Sequence, residues 1–297
     1  MCKVVLAISC ALITGMLTGP AFAAGNQFSY QGHDYIYEAV PTFDQCGDHS
    51  LEQAQKQGIT LGISPDPPYS SIDPQTKEAG GIDVDINRAV LGWLGITTVH
   101  YQVMPFGQLI PALLAHRVDI IAANIHYTPD RVKVIDFTGP SWWYGPAIVT
   151  HKGNPDHLTS YDMLKGKQVG AIVGSAADEY LRKLGANVTP FQTSAEEFAA
   201  ISTGRVPALV EDDVKVIAYL KANPDSPIEI VPNVAVPEEL IYKYGYGYAR
   251  YATRKDDCTL RAGYTEGLSE SRANGAVSAI LKHYGLSNRN LLFFPLQ

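Results

Sequence analysis

The chain has 297 residues, with 23 basic and 30 acidic residues, and a sequence pI of about 5.6. Its length suits one large domain or two modest ones. No basic patch with interleaved aromatic residues is present, which argues against a nucleic-acid-binding protein. No cluster of cysteines and histidines has metal-ligand spacing, and we expect neither a metal nor a cofactor.

Residues 1–23 are typical of a secretory signal peptide. Lys3 gives an early positive charge, an apolar run follows, and Ala21-x-Ala23 fits the small-residue rule for cleavage after Ala23. The alternative is a lipidated Cys10, but almost no apolar segment precedes that residue. Since no later segment reaches about 18 apolar residues, we expect the mature chain to be exported and soluble.

Only Cys46 and Cys258 remain after this cleavage. Two cysteines in an exported protein suggest one disulfide, with two separate thiols as the alternative. Residues 24–56 are polar and aromatic without clear periodicity. We interpret them as an N-terminal extension that lies on the body of the protein, where Cys46 would tie it down.

Strands and helices alternate after residue 57, a rhythm typical of an α/β fold with a largely parallel sheet. The first set of predicted elements is strand Ile59–Ile63, helix Ile82–Leu94, strand Thr98–Val103, helix Phe106–Ala115 and strand Val118–Ala123. The second set is strands Pro146–Thr150 and Gln168–Val173, helices Ser175–Leu184 and Ala195–Ser202 with Ser194 as N-cap, strand Ala208–Val210, helix Asp213–Leu220, strands Ile228–Val231 and Ile241–Tyr251, and helices Leu260–Arg272 and Val277–Tyr284. Two similar sets indicate two α/β lobes, connected near 142–145 and 247–250.

The segment 120–140 places a buried-type strand directly before Thr128-Pro129-Asp130-Arg131. Thr128 is suited to cap a helix, and Pro129 suits its first position. Arg131 would then lie in the first turn, where the helix dipole disfavours a cation. Such an arginine indicates an anionic ligand, most simply a carboxylate bound by both arms of the guanidinium. The alternative is a surface arginine paired with a nearby aspartate.

Gly174 and Ser175 follow a predicted strand and begin a predicted helix. The free N–H groups of such a turn form an anion site, to which the Ser175 hydroxyl can add. An ordinary serine cap is the alternative. A dinucleotide site is not indicated, because no G-x-G-x-x-G motif is present.

Taken together, these features resemble the bacterial extracytoplasmic solute-binding proteins of ABC importers, in the group that binds polar amino acids. The segments that carry the resemblance occur in family order and are Gly62–Tyr69, Gly81–Ile86, Phe106–Leu114, Val118–Arg131, Asp136–Thr138, Lys152–Pro155, Leu164–Ser175 and Arg254–Asp257. The resemblance covers residues from about 57 to 285.

The resemblance implies a two-lobe fold of the type II periplasmic binding proteins. Two crossing strands would join the lobes, which close over a ligand by a hinge motion. Lobe 1 would comprise residues 57–143 plus 249–297, and lobe 2 residues 144–248. Cys258 would then lie on lobe 1, which makes a Cys46–Cys258 bridge geometrically reasonable.

The resemblance also implies a site for both backbone charges of an amino acid. It places the ligand carboxylate at Arg131 and Ser175, and the ligand ammonium at Asp212. A buried zwitterion needs such pairing, since an unpaired charge in a closed cleft is unstable. Asp212 is alternatively the N-cap of the next helix, and Glu211 or Asp213 is alternatively the carboxylate that binds the ammonium.

Further residues are expected to shape the cleft. The resemblance implies contacts from the loop after the first strand and aromatic walls, and the residues concerned are Asp66, Tyr69, Phe106 and Trp142. Phe106 is alternatively a helix core residue. Many amino-acid binders carry a small hydroxyl residue where this chain has Asn124 and His126, which indicates a bulkier and more polar wall. His126 is alternatively a loop histidine with no ligand contact.

We therefore expect a periplasmic, monomeric receptor that binds a small zwitterion, foremost an amino acid, and passes it to a membrane permease. An ectoine or betaine receptor is one alternative, because some ectoine-binding members have an aromatic residue at the His126 position. The others are a dehydratase-like enzyme on the same fold, and a sensor partner that docks on a receptor kinase. No nucleophile–base pair at short spacing supports the enzyme.

Overall fold

The computed structural model describes residues 27–30, 33–36 and 45–291. The predicted signal peptide lies outside these residues, as do residues 24–26, 31–32 and 37–44 of the predicted N-terminal extension. Residues 1–39 and 40–297 form two separate units. In the first unit, strands β1 (Gln27–Tyr30) and β2 (His33–Ile36) pair as an antiparallel hairpin.

The second unit is a mixed α/β body. Its elements up to residue 137 are α1 (Ser50–Gln57), β3 (Ile59–Ile63), β4 (Ser71–Ile72), β5 (Ala79–Gly80), α2 (Ile82–Trp93), β6 (Val99–Val103), α3 (Leu109–Leu114), β7 (Ile120–Ile121) and β8 (Asp136–Phe137). The remaining elements are β9 (Pro146–His151), β10 (Gln168–Ile172), α4 (Ala176–Leu184), β11 (Asn187–Phe191), α5 (Ser194–Ser202), β12 (Ala208–Asp212), α6 (Asp213–Ala222), β13 (Ile228–Ile230), α7 (Glu238–Tyr242), β14 (Ala252–Thr253), α8 (Cys258–Ala273) and α9 (Ala276–His283).

Two five-stranded sheets divide this body into two lobes. In the first sheet the order is β6-β3-β7-β14-β8, with β3 parallel to β6 and β7 and with β14 antiparallel to its neighbours. In the second sheet the order is β11-β10-β12-β9-β13, with β10 parallel to β11 and β12. The two-lobe α/β architecture expected from the sequence is present.

Two chain segments cross between the sheets side by side. Trp143 and Tyr248 form an antiparallel bridge. The backbone N–H of Ser141 donates to the carbonyl of Ala249 at 2.7 Å. Gly247 has φ +91°, and a side chain there would collide with the carbonyl of Tyr144, so the second crossing requires glycine. These are the two regions, 142–145 and 247–250, in which the sequence predicts the lobe connections.

A disulfide links Cys46 to Cys258 at the start of α8, as the sequence suggests. Next to it, Asp48 accepts hydrogen bonds from the backbone N–H and the hydroxyl of Thr259, at 3.0 and 2.8 Å. These contacts fix helix α1, which falls in the part of the chain interpreted as an irregular extension. The helix was missed because its sequence is mostly polar and buries only Ala54 fully.

Two local predictions are wrong. The expected strand Ile241–Tyr251 is instead helix α7 followed by a turn, because Gly245 and Gly247 both adopt left-handed backbone angles that a strand cannot contain. The expected N-cap Ser194 is the first residue of α5. The N-cap is Thr193, whose hydroxyl accepts from the N–H of Glu196 at 3.2 Å.

Candidate functional site

A narrow cavity lies where the carboxyl ends of parallel strands from both sheets face each other. Loops that follow β3, β7, β10 and β12 contribute to it, as expected for an open α/β sheet. Its lining residues are Asp66, Tyr69, Phe106, Ala123, Asn124, His126, Ile172, Ser175, Ala176, Ala177, Val210, Glu211, Asp212, Lys215 and Tyr246. Of the residues that sequence reasoning assigned to the site, the structure brings together Asp66, Tyr69, Phe106, Asn124, His126, Ser175 and Asp212.

One end of the cavity is acidic and contains a buried lysine that sequence reasoning missed. Lys215 Nζ lies 2.8 Å from Asp66 Oδ2, 2.9 Å from Glu211 Oε1 and 3.9 Å from Asp212 Oδ2. The position of Lys215 in the sequence, four residues after Glu211, offers a signal for its burial. Strand β12 runs directly into α6, so a lysine one turn into that helix lies over the carboxylates that end the strand.

Burial and mutual repulsion raise the pKa of several of these carboxyl groups. Burial is the main reason that the pKa of Asp212 rises to about 8, and Glu211 and Asp66 add to the shift. Burial likewise raises the pKa of Asp66. For Lys215, burial opposes the charge, but the surrounding carboxylates outweigh it and raise the lysine pKa well above its ordinary value. Lys215 is therefore a permanent cation in the cleft.

Asp212 ends strand β12 and has one carboxylate oxygen committed within the protein. Oδ2 accepts a hydrogen bond from the Tyr69 hydroxyl at 2.9 Å. Oδ1 is buried and accepts no hydrogen bond of normal geometry from the described residues, although the nearby Tyr246 hydroxyl lowers the pKa of the carboxyl. The side chain does not cap α6, although Asp212 stands at the N-cap position. Asp213 is turned away and accepts from the Gly145 N–H at 3.0 Å.

Arg131 is buried beside the cavity rather than in its lining. Residues 131–133 form a short 3-10 turn instead of the predicted helix, and the Thr128 hydroxyl accepts from the Arg131 N–H at 3.4 Å. The guanidinium donates to the carbonyl of His126 at 2.7 Å and to that of Gly174, and it lies over the Phe106 ring, 5.4 Å from its centroid. These hydrogen bonds use two of its five N–H groups. Arg131 thus joins the two lobes.

Ser175 caps helix α4. Its hydroxyl accepts from the N–H of Asp178 at 3.0 Å. The next two residues, Ala176 and Ala177, line the cavity with the first turn of the helix. Backbone N–H groups at this position have no partner within the helix, so they are available to an anion. The structure therefore combines the cap role of Ser175 with an anion-favouring end of the cavity.

The wall at Asn124 and His126 is held by tyrosines. The Tyr144 hydroxyl donates to Asn124 Oδ1 at 2.9 Å and also hydrogen bonds to His126 Nε2. The imidazole stacks on Tyr246 with ring centroids 4.5 Å apart. Burial, together with the charges of Arg131 and Lys215, lowers the pKa of His126 well below its ordinary value, so this ring is neutral at pH 7.

Trp142 lies behind the cavity and does not belong to its lining. It is fully buried, its ring centroid lies 5.6 Å from that of Tyr69, and its indole N–H donates to Asp83 Oδ1 at 3.3 Å. Tyr251 donates to the same oxygen at 3.2 Å. Burial raises the pKa of Asp83 to about 7. Asp83 lies in the first turn of α2, and its carboxyl anchors the crossing segment through Trp142.

Comparison with known proteins identifies the family. Residues 59–287 match the family described as bacterial extracellular solute-binding proteins, family 3. The chain belongs to this family. The fold and the family expected from the sequence are thereby confirmed. Within the part of the chain that the structure describes, no helix has the length and apolar character needed to cross a membrane.

Several characterised relatives resemble the chain over most of its length. It is 28% identical to a probable amino-acid ABC transporter periplasmic-binding protein of Sinorhizobium fredii, over 84% of each chain. It is 26% identical to the lysine/arginine/ornithine-binding periplasmic protein of Escherichia coli, over 73% of this chain and 83% of that one. A solved structure of an ancestral arginine-binding protein bound to arginine is 29% identical, with a TM-score of 0.67, and the match covers 76% of this chain and 97% of that one. These relatives are binding proteins.

Proposed function

We propose that this protein is the periplasmic substrate-binding component of an ABC importer and that its cargo is an α-amino acid. The family assignment and the amino-acid-binding relatives support this proposal. A membrane permease would be the partner that receives the cargo. The predicted signal peptide supports export, and a hinged receptor of this kind is expected to act as a monomer without a cofactor.

The observation that carries the proposal is Asp212 Oδ1, which accepts no hydrogen bond of normal geometry from the described residues. A buried carboxylate oxygen without a donor is unfavourable, and a ligand ammonium would satisfy it. Asp66, Glu211 and Lys215 already interact with one another. Asp212 Oδ1 is therefore the position best suited to a primary ammonium, which ectoine and betaines lack.

The ligand carboxylate would lie at the opposite end of the cavity. The first turn of α4, at Ala176 and Ala177, offers backbone N–H groups. Arg131 has N–H groups beyond those that bind His126 and Gly174, and its Nε lies 4.0 Å from Glu179 Oε1. Both devices attract an anion. Ala176 and Asp212 line the same narrow cavity, which fits a small zwitterion whose two charges are fixed to the same carbon skeleton.

Aromatic residues would hold the apolar part of the ligand. Tyr69, Phe106 and His126 line the cavity. A preformed, largely apolar pocket with a few polar anchors is the usual form of a small-molecule site. Asn124 would add a polar contact, and Trp142 would support Tyr69 from behind rather than touch the ligand.

The proposal is tested by a thermal-shift screen of the chain from residue 24 to 297. The panel contains the L-amino acids, their D-enantiomers, ectoine, glycine betaine and a few dicarboxylates, and titration calorimetry follows each hit. A ligand at a hundredfold excess over its Kd stabilises the protein by about 2.7 kcal/mol. We expect an L-amino acid to be the strongest hit.

Other outcomes would overturn the proposal in distinguishable ways. A response only to ectoine or betaine would identify a compatible-solute receptor. Turnover of a dicarboxylate in the same panel, followed by product analysis, would identify an enzyme. A folded protein that responds to no compound would exclude a simple amino-acid receptor and leave the sensor alternative.

A further inference from the structure

We propose that Lys215 is a specificity-determining residue that fills the cation position of the cleft, so that the receptor selects amino acids with uncharged side chains. The inference rests on the proposed function and extends it to a substrate class. It concerns the acidic end of the cavity, formed by Asp66, Glu211, Asp212 and Lys215.

The Lys215 ammonium occupies the position at the acidic end of the cavity that the cationic side chain of a bound basic amino acid would otherwise take. Its side chain is 5% exposed, and its ammonium lies between Asp66 of one lobe and Glu211 of the other, at 2.8 and 2.9 Å. The same ammonium lies over the Tyr69 ring, 5.6 Å from the centroid. Carboxylates from both lobes and an aromatic face are the groups that would otherwise hold a lysine or arginine side chain.

A second cation at this end would be unfavourable. The side chain of a bound lysine or arginine would have to share Asp66 and Glu211 with the Lys215 ammonium, in a buried site where like charges repel strongly. The lysine cannot lose its proton to relieve this repulsion, because the surrounding carboxylates favour its charged form. Basic amino acids are therefore disfavoured.

An acidic side chain is disfavoured for the opposite reason. The carboxylates of Asp66 and Glu211 border the position. Glu197 is fully buried nearby, and burial together with the neighbouring Glu211 raises the pKa of Glu197 well above its ordinary value. A ligand carboxylate would be repelled by these groups, and the Lys215 ammonium beside them already binds Asp66 and Glu211. An uncharged side chain avoids both penalties.

The inference separates this chain from some of its relatives. One of them is named a lysine/arginine/ornithine-binding protein, and a structural neighbour was solved with arginine bound. At 26% and 29% identity, these relatives share the fold of this chain, but the residues that line their clefts can differ from those of this chain. Lys215 supplies a physical reason to expect a different cargo.

The test is titration calorimetry at pH 7 with the wild-type protein and a panel of L-amino acids that includes arginine, lysine, glutamate, glutamine, serine, alanine and leucine. We expect the tightest uncharged ligand to bind at least tenfold more tightly than arginine, lysine or glutamate. In Lys215→Met, which removes the charge but keeps the side-chain length, the ratio of arginine affinity to that of the preferred ligand should rise at least tenfold.

Two variants serve as controls. Lys221→Met removes a lysine from the exposed part of the same helix and should leave the ranking unchanged. Lys215→Arg keeps the charge and should keep the preference for uncharged ligands, which provides a readout if Lys215→Met does not fold.

The outcomes distinguish this inference from the function on which it rests. Wild-type protein that binds arginine, lysine or glutamate as tightly as any uncharged amino acid would overturn the inference and leave the amino-acid receptor intact. A gain of arginine affinity in Lys215→Arg would also overturn it. Folded wild-type protein that binds no L-amino acid would overturn the receptor function and the inference together.

Discussion

The hydroxyl of Tyr69 donates to Oδ2 of Asp212 at 2.9 Å, and this hydrogen bond crosses from one lobe to the other. Tyr69 follows β3 of the first sheet, whereas Asp212 ends β12 of the second. The bond fixes Oδ2 of the carboxyl, while Oδ1 has no hydrogen-bond partner of normal geometry in the part of the chain that the structure describes. The orientation of Asp212 toward a ligand thus depends on a residue from the opposite lobe.

We expect Tyr69→Phe to weaken ligand binding about tenfold. The substitution keeps the ring that packs against Trp142 and Tyr144. It removes the hydrogen bond to the Asp212 carboxyl, which would be ionised in the complex, and such a bond to a charged group is worth about 1.5 kcal/mol or more. Titration calorimetry with the ligand found in the screen gives the change in Kd. Tyr242→Phe, at a tyrosine that is 71% exposed, is the matched control. Equal affinity of Tyr69→Phe and wild type would show that this bond does not orient Asp212.

Ligand binding at pH 7 should release a proton. Burial raises the pKa of Asp212 to about 8, so most of this carboxyl is protonated at pH 7 before a ligand binds. A bound ammonium favours the ionised form and lowers the pKa, and the proton then leaves. Calorimetry in phosphate and in Tris should give different apparent binding enthalpies. For the release of one proton, they should differ by the difference between the ionisation enthalpies of the two buffers. The difference should shrink at pH 9, and identical enthalpies at pH 7 would contradict the assignment.

The two-lobe fold could be predicted because its signals are local and repeated. The buried strands β3 and β10 are short, mostly apolar runs, and the helices after them, α2 and α4, carry clear apolar faces. The errors lie where tertiary contacts override local pattern. Thr128 and Pro129 resemble a helix start, but the Arg131 side chain is held by carbonyls of both lobes, and only a 3-10 turn forms.

The outline of the candidate site could be predicted from the sequence, but one of its charged residues, Lys215, was missed. Asp66 lies in the loop after β3 of the first sheet, and Asp212 ends β12 of the second, so the fold brings both to one cavity, as the resemblance implies. Lys215 was missed because a lysine in a helix ordinarily faces solvent, and helix α6 has no strong polar stripe against which its burial could be judged. Trp142 was assigned to the wall, although its indole N–H is used by a buried carboxyl, Asp83.

Asp83→Asn should change how stability depends on pH. Burial raises the pKa of Asp83 from 3.8 to about 7, so the folded protein binds this proton more tightly than the unfolded chain does. The stability contributed by Asp83 is therefore full below pH 3.8 and is lost as the pH rises through 7. Asparagine does not ionise, but it keeps an acceptor for Trp142 and Tyr251.

Urea unfolding of wild type and Asp83→Asn at pH 4, 6 and 8 measures this effect. The stability of the variant relative to wild type should increase with pH, by at most about 4 kcal/mol, since one pKa unit corresponds to about 1.36 kcal/mol. Asp225→Asn, at an exposed position, controls for the loss of one acidic residue. A constant difference between Asp83→Asn and wild type across this range would show that Asp83 ionises normally.

Arg131→Lys should weaken binding of the ligand at least a hundredfold while leaving the protein folded. Lysine keeps the positive charge but loses the planar fork that would bind a carboxylate through two N–H groups. It also loses one of the hydrogen bonds to the carbonyls of His126 and Gly174, so a modest fall in the urea midpoint is expected. Calorimetry and urea unfolding on the same preparation separate the two effects.

Arg205→Lys is the matched control for this substitution. Arg205 lies over the Phe191 ring, 5.5 Å from its centroid, much as Arg131 lies over Phe106 at 5.4 Å, but Arg205 is exposed and does not line the cavity. Loss of affinity in Arg131→Lys alone would assign the carboxylate to Arg131. A large fall in the unfolding midpoint with unchanged affinity would instead show that Arg131 joins the lobes and leaves the carboxylate to the first turn of α4.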